Sequence, residues 1–351
     1  MRQPRSVRSS SVARSLSVPR GEKGLRESLE VARTFADQAV PPNTRRAYES
    51  DWRDFDLWSQ SMGIDPARPN PEYVAAYLSG LATGMRPGNR SLSVATIERR
   101  LASLCWRYRM MGTPLDRGDG HIASVLRGIR NSRLRKPAAK DPVLTEDLLE
   151  MLGTLNLAKL PHVRDKAILL IGFAGGLRRS EIVGLDMGPD QSPGDPACKG
   201  WVEFFEEGMI IHVRNKTEVF RTIEIGRGST DLTCPLTCLK TWLHLARIVR
   251  GPVFRRVLAG RRISSERLGD AHVAAIVKRA VRKSQVGSHL PEGERIQAYS
   301  GHSLRAGLAS SAEVEEGIVQ KQLGHASAEM TRRYQRRRDR FRFNLTKASG
   351  L

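Results

Sequence analysis

Acidic residues are scarce in this chain. Its 351 residues include 37 Asp and Glu against 58 Lys and Arg, a formal net charge of +21. A surplus of that size calls for an anionic partner or a solvated tail. Phosphates reward distributed Lys and Arg through counterion release, which favours nucleic acid over a membrane surface. Cysteines number four, at 105, 198, 234 and 238, too few and too unevenly spaced for a disulfide framework in a chain this long. They fit a reducing, intracellular setting. Cys234 and Cys238 form a CxxxC pair with His244 beyond it. No second ligand pair accompanies them, so buried helix cysteines are favoured over a zinc site. No apolar run approaches the ~20 residues that span a bilayer. No G-x-x-x-x-G-K-[ST] phosphate loop occurs either.

What remains is enough for a globular protein. Hydrophobic residues make up 40% of the chain, and the length fits two domains. Residues 1–25 are Ser- and Arg-rich, with Glu22 as the first acid. They are expected to form a disordered basic arm. Their composition also fits a mitochondrial transit peptide, but nothing else points to an organelle, so an arm or an upstream translation start is preferred.

Residues 26–133 read as an all-α domain. "NTRRAYESDWRDFDLW" opens with Asn43 and Thr44 as capping residues and places Tyr48, Trp52 and Phe55 on one stripe, with Trp58 beside it. That stripe is expected to be core. A second helix is expected over 71–84. A third, "SVATIERRLASLCWRYRMMG", buries Ile97, Leu101 and Leu104, and "HIASVLRGIRNSR" adds another. Arg45, Arg46, Arg99, Arg100 and Arg107 then lie on polar faces and are candidates for DNA contact. Residues 134–144, with two prolines and few apolar side chains, read as a linker. Thr145 is expected to cap a helix whose first turn carries Glu146 and Asp147.

Residues 145–351 mix helix and strand. "VRDKAILLIGFAGGLRRSEIVGL" reads as a buried helix, a Gly175–Gly176 turn and a second helix start. "GMIIHVRNKTEVFRTIEIG" reads as two alternating strands joined near Asn215–Glu218. Pro235 suits the first turn of a helix carrying Leu236, Leu239, Leu243 and Ala246, and "DAHVAAIVKRAVRKSQ" is a further amphipathic helix.

His302, Arg305, His325 and Tyr334 fall in one short window near the C-terminus, in "SGHSLRAG" and "LGHASAEMTRRYQ". Cleaving a DNA phosphodiester without water needs a nucleophile, neutralised non-bridging oxygens and a proton for the leaving 5′-oxygen. Tyrosine ionises near pH 10 and attacks well only among cations. Arginine matches two phosphate oxygens and stays charged, and Lys or His can move the proton. Electrostatic stabilisation by such groups dispenses with a metal. Arg178, Lys216, His302, Arg305, His325 and Tyr334 supply every part.

In these motifs the chain resembles the tyrosine recombinase (phage integrase) family of Cre-type and Xer-type enzymes. The matching stretches are "GLRRSEIVGL" around Arg178, "NKTEVFRTIEI" around Lys216, "HSLR" with His302 and Arg305, and "LGHASAEMTRRY" with His325 and Tyr334. The resemblance spans roughly residues 30–345. It implies a SAM-like helical core-binding domain, followed by a mainly α catalytic domain with a small antiparallel sheet. It implies that Tyr334 attacks the scissile phosphate to form a 3′-phosphotyrosyl bond while Arg178 and Arg305 clamp the non-bridging oxygens. Lys216 is then the general acid, His302 and His325 hydrogen-bond the phosphate, and His302 assists proton transfer from Tyr334. The partner is a duplex recombination site, engaged by a homotetramer that docks through C-terminal segments such as "DRFRFNLTKASGL", in the bacterial or phage-infected cytoplasm on the nucleoid. His302 and His325 are 23 residues apart (325 − 302), about three fewer than the family's usual step. A type IB topoisomerase and a non-catalytic DNA-binding relative are the competing readings. The helical N-terminal domain and the L-G-H box favour the recombinase.

Overall fold

The structure, a computed structural model, describes residues 22–38, 40–85, 91–132, 140–214, 220–312, 316–324 and 329. Four sequence readings fall outside these: the first 21 residues of the arm, most of the linker, the hairpin tip with Lys216, and the segment with His325 and Tyr334. The chain divides into two compact units, Met1–Pro137 and Ala138–Leu351.

The first unit is all helix: α1 (Glu22–Gln38), α2 (Pro42–Ser61), α3 (Pro71–Thr83), α4 (Val94–Met110) and α5 (Gly120–Ser132). Helix α1 begins inside the stretch assigned to the arm. Helix α2 starts one residue ahead of the expected cap: Pro41 is its N-cap and Pro42 its first residue. Proline presets the helical φ and has no N–H to leave unpaired there. Asn70 caps α3 by accepting from the backbone N–H groups of Glu72 and Tyr73, and Ser93 caps α4 by accepting from Thr96. Phe55, Trp58, Tyr77, Leu78, Ile97, Leu101, Leu104, Tyr108, Ile122 and Leu126 form the core. Phe55 and Trp58 are buried as expected, whereas Tyr48 and Trp52 reach only half-burial at its edge.

The second unit opens with α6 (Thr145–Gly153), whose N-cap is Leu144 rather than Thr145. The Leu144 N–H donates to Asp147 Oδ2 at 2.9 Å, so the carboxylate at the third position performs the capping. Helix α7 (Leu160–Ala174) is apolar nearly all round and lies in the middle of the core, with Val163, Ala167, Ile168, Leu169, Leu170 and Ile171 all buried. The short α8 (Arg179–Val183) follows, then β1 (Leu185–Asp186), β2 (Gly200–Phe204), β3 (Gly208–Arg214) and β4 (Phe220–Gly226) in one sheet of that order. The hairpin β3–β4 agrees with the alternation read from sequence. The sheet as a whole is mixed rather than antiparallel, because β1 pairs parallel with β2. A two-residue strand carries no periodic signal, and residues 187–199 bring the chain back to start β2 in the same direction.

Helix α9 (Pro235–Leu245) has Pro235 in its first turn and buries Leu236, Leu239, Leu243 and, just past its end, Ala246. Each of the three leucines contributes roughly 1.5–3 kcal/mol on burial. The CxxxC pair serves this helix. Cys234 is its N-cap, and its sulfur accepts from the N–H groups of Gly228 and Thr237 at 3.3 and 3.5 Å. A second two-stranded sheet, β5 (Arg255–Val257) with β6 (Ile263–Arg267), precedes α10 (Ala271–Lys283), α11 (Glu292–Ala298), α12 (Gly301–Ser311) and α13 (Glu316–Leu323). Among the described residues no helix is long and apolar enough to cross a membrane, and no group of three His, Cys, Asp or Glu is placed to hold a metal.

Candidate active site

The double glycine after α7 sets the site's first residue. Gly176 has φ +56°, a left-handed conformation that favours glycine. The Leu177 N–H then donates to Gly172 O at 3.2 Å and the Gly176 N–H to Phe173 O at 3.0 Å, a Schellman termination of α7. Leu177 is buried and anchors the turn. The next residue, Arg178, is extended and becomes the N-cap of α8.

Glu181, one turn on, holds Arg178 by two bonds. Its Oε2 accepts the Arg178 backbone N–H at 2.7 Å, and its Oε1 accepts Arg178 Nη1–H at 2.5 Å. The Arg178 side chain nevertheless remains 51% exposed, so its guanidinium keeps a face to solvent. Burial works to raise the Glu181 carboxyl, but Arg221 and the bonds from Arg178 outweigh it and hold it below the usual carboxylate range.

Ser300 caps α12, accepting from the His302 N–H at 3.2 Å. His302 keeps solvent exposure. Even so, desolvation of its imidazole, then the charges of Arg305, Arg178 and Arg179, lower its pKa from the ordinary histidine value. His302, Arg305 and Arg178 therefore share one electrostatic neighbourhood, and the neutral imidazole is favoured there.

Arg305 is only 2% exposed. Its Nη1–H donates to Gly176 O at 2.5 Å and its Nη2–H to Leu323 O. Arg305 thus joins the turn that presents Arg178 to the end of α13. Between the two histidine boxes, α12 and α13 are separated by residues 312–315, and Ala309, Val319 and Leu323 close a small core between them. Gly324, with φ +60°, ends α13 directly before His325.

No family model matches the chain. An integrase/recombinase xerD homolog of Selenomonas ruminantium is 29% identical over 325 residues, covering 89% of this chain and 86% of the relative. A tyrosine recombinase of Synechococcus elongatus is 28% identical over 335 residues, 91% of this chain and 92% of the relative. The chain is thus similar to tyrosine recombinases over most of its length. Its fold agrees: the Tn1549 transposon integrase, solved in complex with transposon right end DNA, superposes with a TM-score of 0.55 at 14% identity. That match covers 88% of this chain and 93% of the integrase.

The five arginines singled out in the first unit differ in surroundings. Arg46 and Arg107 are exposed, and Arg107 lies over the Trp52 ring at 5.5 Å. Arg45 is half-buried. Arg99 pairs with the buried Asp51. Arg100 donates Nη1–H to Asp54 Oδ1 at 2.5 Å and to Tyr77 Oη at 2.8 Å. Arg100 therefore belongs to a polar network joining α2, α3 and α4 rather than to an outward basic face. The sequence reading missed Arg221, which bonds to Glu181. Its signal was available: along β4, Arg221, Ile223 and Ile225 alternate on the inward face, so a charged residue occupies an apolar register.

Proposed function

We propose that this protein is a site-specific DNA recombinase that cleaves and rejoins strands through a 3′-phosphotyrosyl intermediate, using no metal and no nucleotide. The observation that carries the reading is that Arg305 donates to the Gly176 carbonyl of the turn leading into Arg178, which Glu181 holds, with both arginines close enough to His302 to lower its pKa. The two arginines and His302 are residues that the family motifs in this sequence nominate for the phosphate.

In the proposed reaction the Tyr334 oxygen forms a bond to the scissile phosphorus as the phosphorus–5′-oxygen bond breaks. The tyrosine proton passes toward His302, whose lowered pKa keeps the imidazole able to accept it. Lys216 protonates the departing 5′-oxygen. Arg178 neutralises one side of the phosphate, Arg305 the other, and His325 adds a hydrogen bond. A partner strand's 5′-hydroxyl then attacks the phosphotyrosine and restores the phenol. The bond energy is retained, so no cofactor is needed. Arg305 already holds the carbonyls of Gly176 and Leu323, so its engagement with phosphate is linked to the seating of α13.

The partner is duplex DNA, which suits a net charge of +21. A tetramer on two sites, in the bacterial cytosol at the nucleoid, completes the reading. A plasmid carrying two recombination sites tests it. Exchange between the sites supports the recombinase, relaxation of a one-site plasmid without exchange supports a topoisomerase, and salt-sensitive binding alone supports a non-catalytic relative.

A further inference from the structure

We infer that Arg221 is a positioning residue that locks the Arg178-bearing turn to the end of α13, so that the phosphate clamp and the His325–Tyr334 segment are registered through one side chain. The inference rests on the recombinase reading for its consequence but not for its geometry. Arg221 lies on β4, opposite Val213 of β3, one residue after Phe220, where the described chain resumes beyond the Lys216 tip. Its side chain is only 13% exposed. One end of the guanidinium, Nη2–H, donates to Glu181 Oε2 at 3.1 Å, the oxygen that also accepts the Arg178 backbone N–H. The other, Nη1–H, donates to Gln322 O at 3.1 Å.

The second contact is the decisive one. The last carbonyls of a helix lack intrahelical partners and bear the negative end of its dipole, so a cation there fixes the terminus. Two arginines share the end of α13, with Arg221 on Gln322 O and Arg305 on Leu323 O. The backbone is shaped to admit both. Gly324 is left-handed, and a Cβ on it would lie 2.8 Å from Arg221 Cδ. A Cβ on Gly176 would lie 2.4 Å from Leu323 Cδ2. The two glycines therefore let the α7 turn and the α13 terminus approach until the arginines bridge them. His325 follows Gly324 at once, and Tyr334 lies nine residues further on (334 − 325). A loosened α13 terminus then misplaces both groups relative to Arg178.

This bridge requires arginine rather than any cation. Its planar fork reaches a carboxylate and a carbonyl in fixed directions, whereas the lysine ammonium is a point donor on a flexible stem. Arg221→Lys is thus expected to keep the charge beside buried Glu181 and the fold, but to lose the geometry. Arg221→Gln removes the charge as well.

The test combines two measurements on the full-length protein. Single-turnover cleavage of a nicked suicide duplex carrying its recombination site is followed for wild type, Arg221→Lys and Arg221→Gln, with DNA affinity measured alongside. Amide hydrogen exchange of the free proteins is read at residues 321–324 and 178–182. Misplacement of reacting groups by about 1 Å costs on the order of 100-fold in rate, which is the loss expected for Arg221→Gln. Arg221→Lys is expected to recover part of that loss, and both variants to keep wild-type DNA affinity. Both segments are expected to exchange faster in each variant, α13's end more than α8. Cleavage within about threefold of wild type in Arg221→Lys and Arg221→Gln, or unchanged exchange at 321–324, overturns the inference. If Arg221→Gln fails to fold, Arg221→Lys decides. If wild type itself does not cleave, the recombinase reading fails, and the exchange measurement still decides whether Arg221 ties the two segments.

Discussion

Glu181 grips Arg178 at both ends, taking its backbone N–H at 2.7 Å and its guanidinium at 2.5 Å. One carboxylate thereby sets the position at which the arginine leaves the chain and the direction its side chain takes. The same carboxylate is shared with Arg221, so it is a junction of two cations and not a simple surface ion pair.

Glu181→Ala should therefore harm both stability and catalysis. It leaves the half-buried Arg221 beside Arg178 with no anion between them. Removing one partner of a buried ionic pair typically costs about 3–5 kcal/mol, and the exposure of Arg178 places this case nearer 3. Urea denaturation measures the loss. Glu181→Gln, which keeps the size and an acceptor, should lose less stability and still reduce cleavage.

The pH dependence follows from the same group. The folded pKa of Glu181 lies below the ordinary glutamate value of 4.5. Its stabilising contribution is therefore complete above that value and is lost as pH falls through the lower, folded pKa. Denaturation midpoints measured from pH 6 downward should fall more steeply in wild type than in Glu181→Gln.

His302 should titrate below 6.5 in the free protein, because desolvation and the charges of Arg305, Arg178 and Arg179 disfavour its cation. Arg178→Ala should move that midpoint upward. NMR titration of the imidazole checks both statements, and a midpoint unmoved by Arg178→Ala contradicts the shared neighbourhood.

In the first unit, Arg46→Ala and Arg107→Ala should each leave the fold intact. Each should also reduce the slope of log affinity against log salt by about 1 if that side chain contacts one phosphate. Arg100→Ala should act differently, since it strips Asp54 and Tyr77 of a shared donor and should destabilise by about 1–3 kcal/mol. Fluorescence anisotropy across a salt series, paired with denaturation, separates the two behaviours.

The contrast between Arg46 and Arg100 also shows what the sequence could convey. Motif residues with fixed local spacing were legible, Arg178 at a helix start after a double glycine and the HxxR pair of His302 and Arg305, although the helix that carries that pair was not read from sequence. So was the β3–β4 hairpin, whose alternation is strict. Partners set by packing between distant helices were not. Arg99 and Arg100 face Asp51 and Asp54 across the α2–α4 contact, 48 and 46 residues away, and helical periodicity alone placed them on a polar face. The parallel strand β1 was illegible for want of length. Arg221 lay between these cases: β4's alternation set it inward, but its partners, Glu181 and the Gln322 carbonyl, come from α8 and α13.

Strand cleavage by Tyr334 is tested most directly by a nicked suicide duplex carrying the recombination site, incubated with wild type, Tyr334→Phe, Arg178→Ala and Arg305→Ala and analysed on denaturing gels. A covalent protein–DNA adduct through the 3′-phosphate is predicted with wild type and none with any variant, without added metal or nucleotide. An adduct of wild-type yield from Tyr334→Phe, or wild-type cleavage in either arginine variant, would contradict the proposed mechanism.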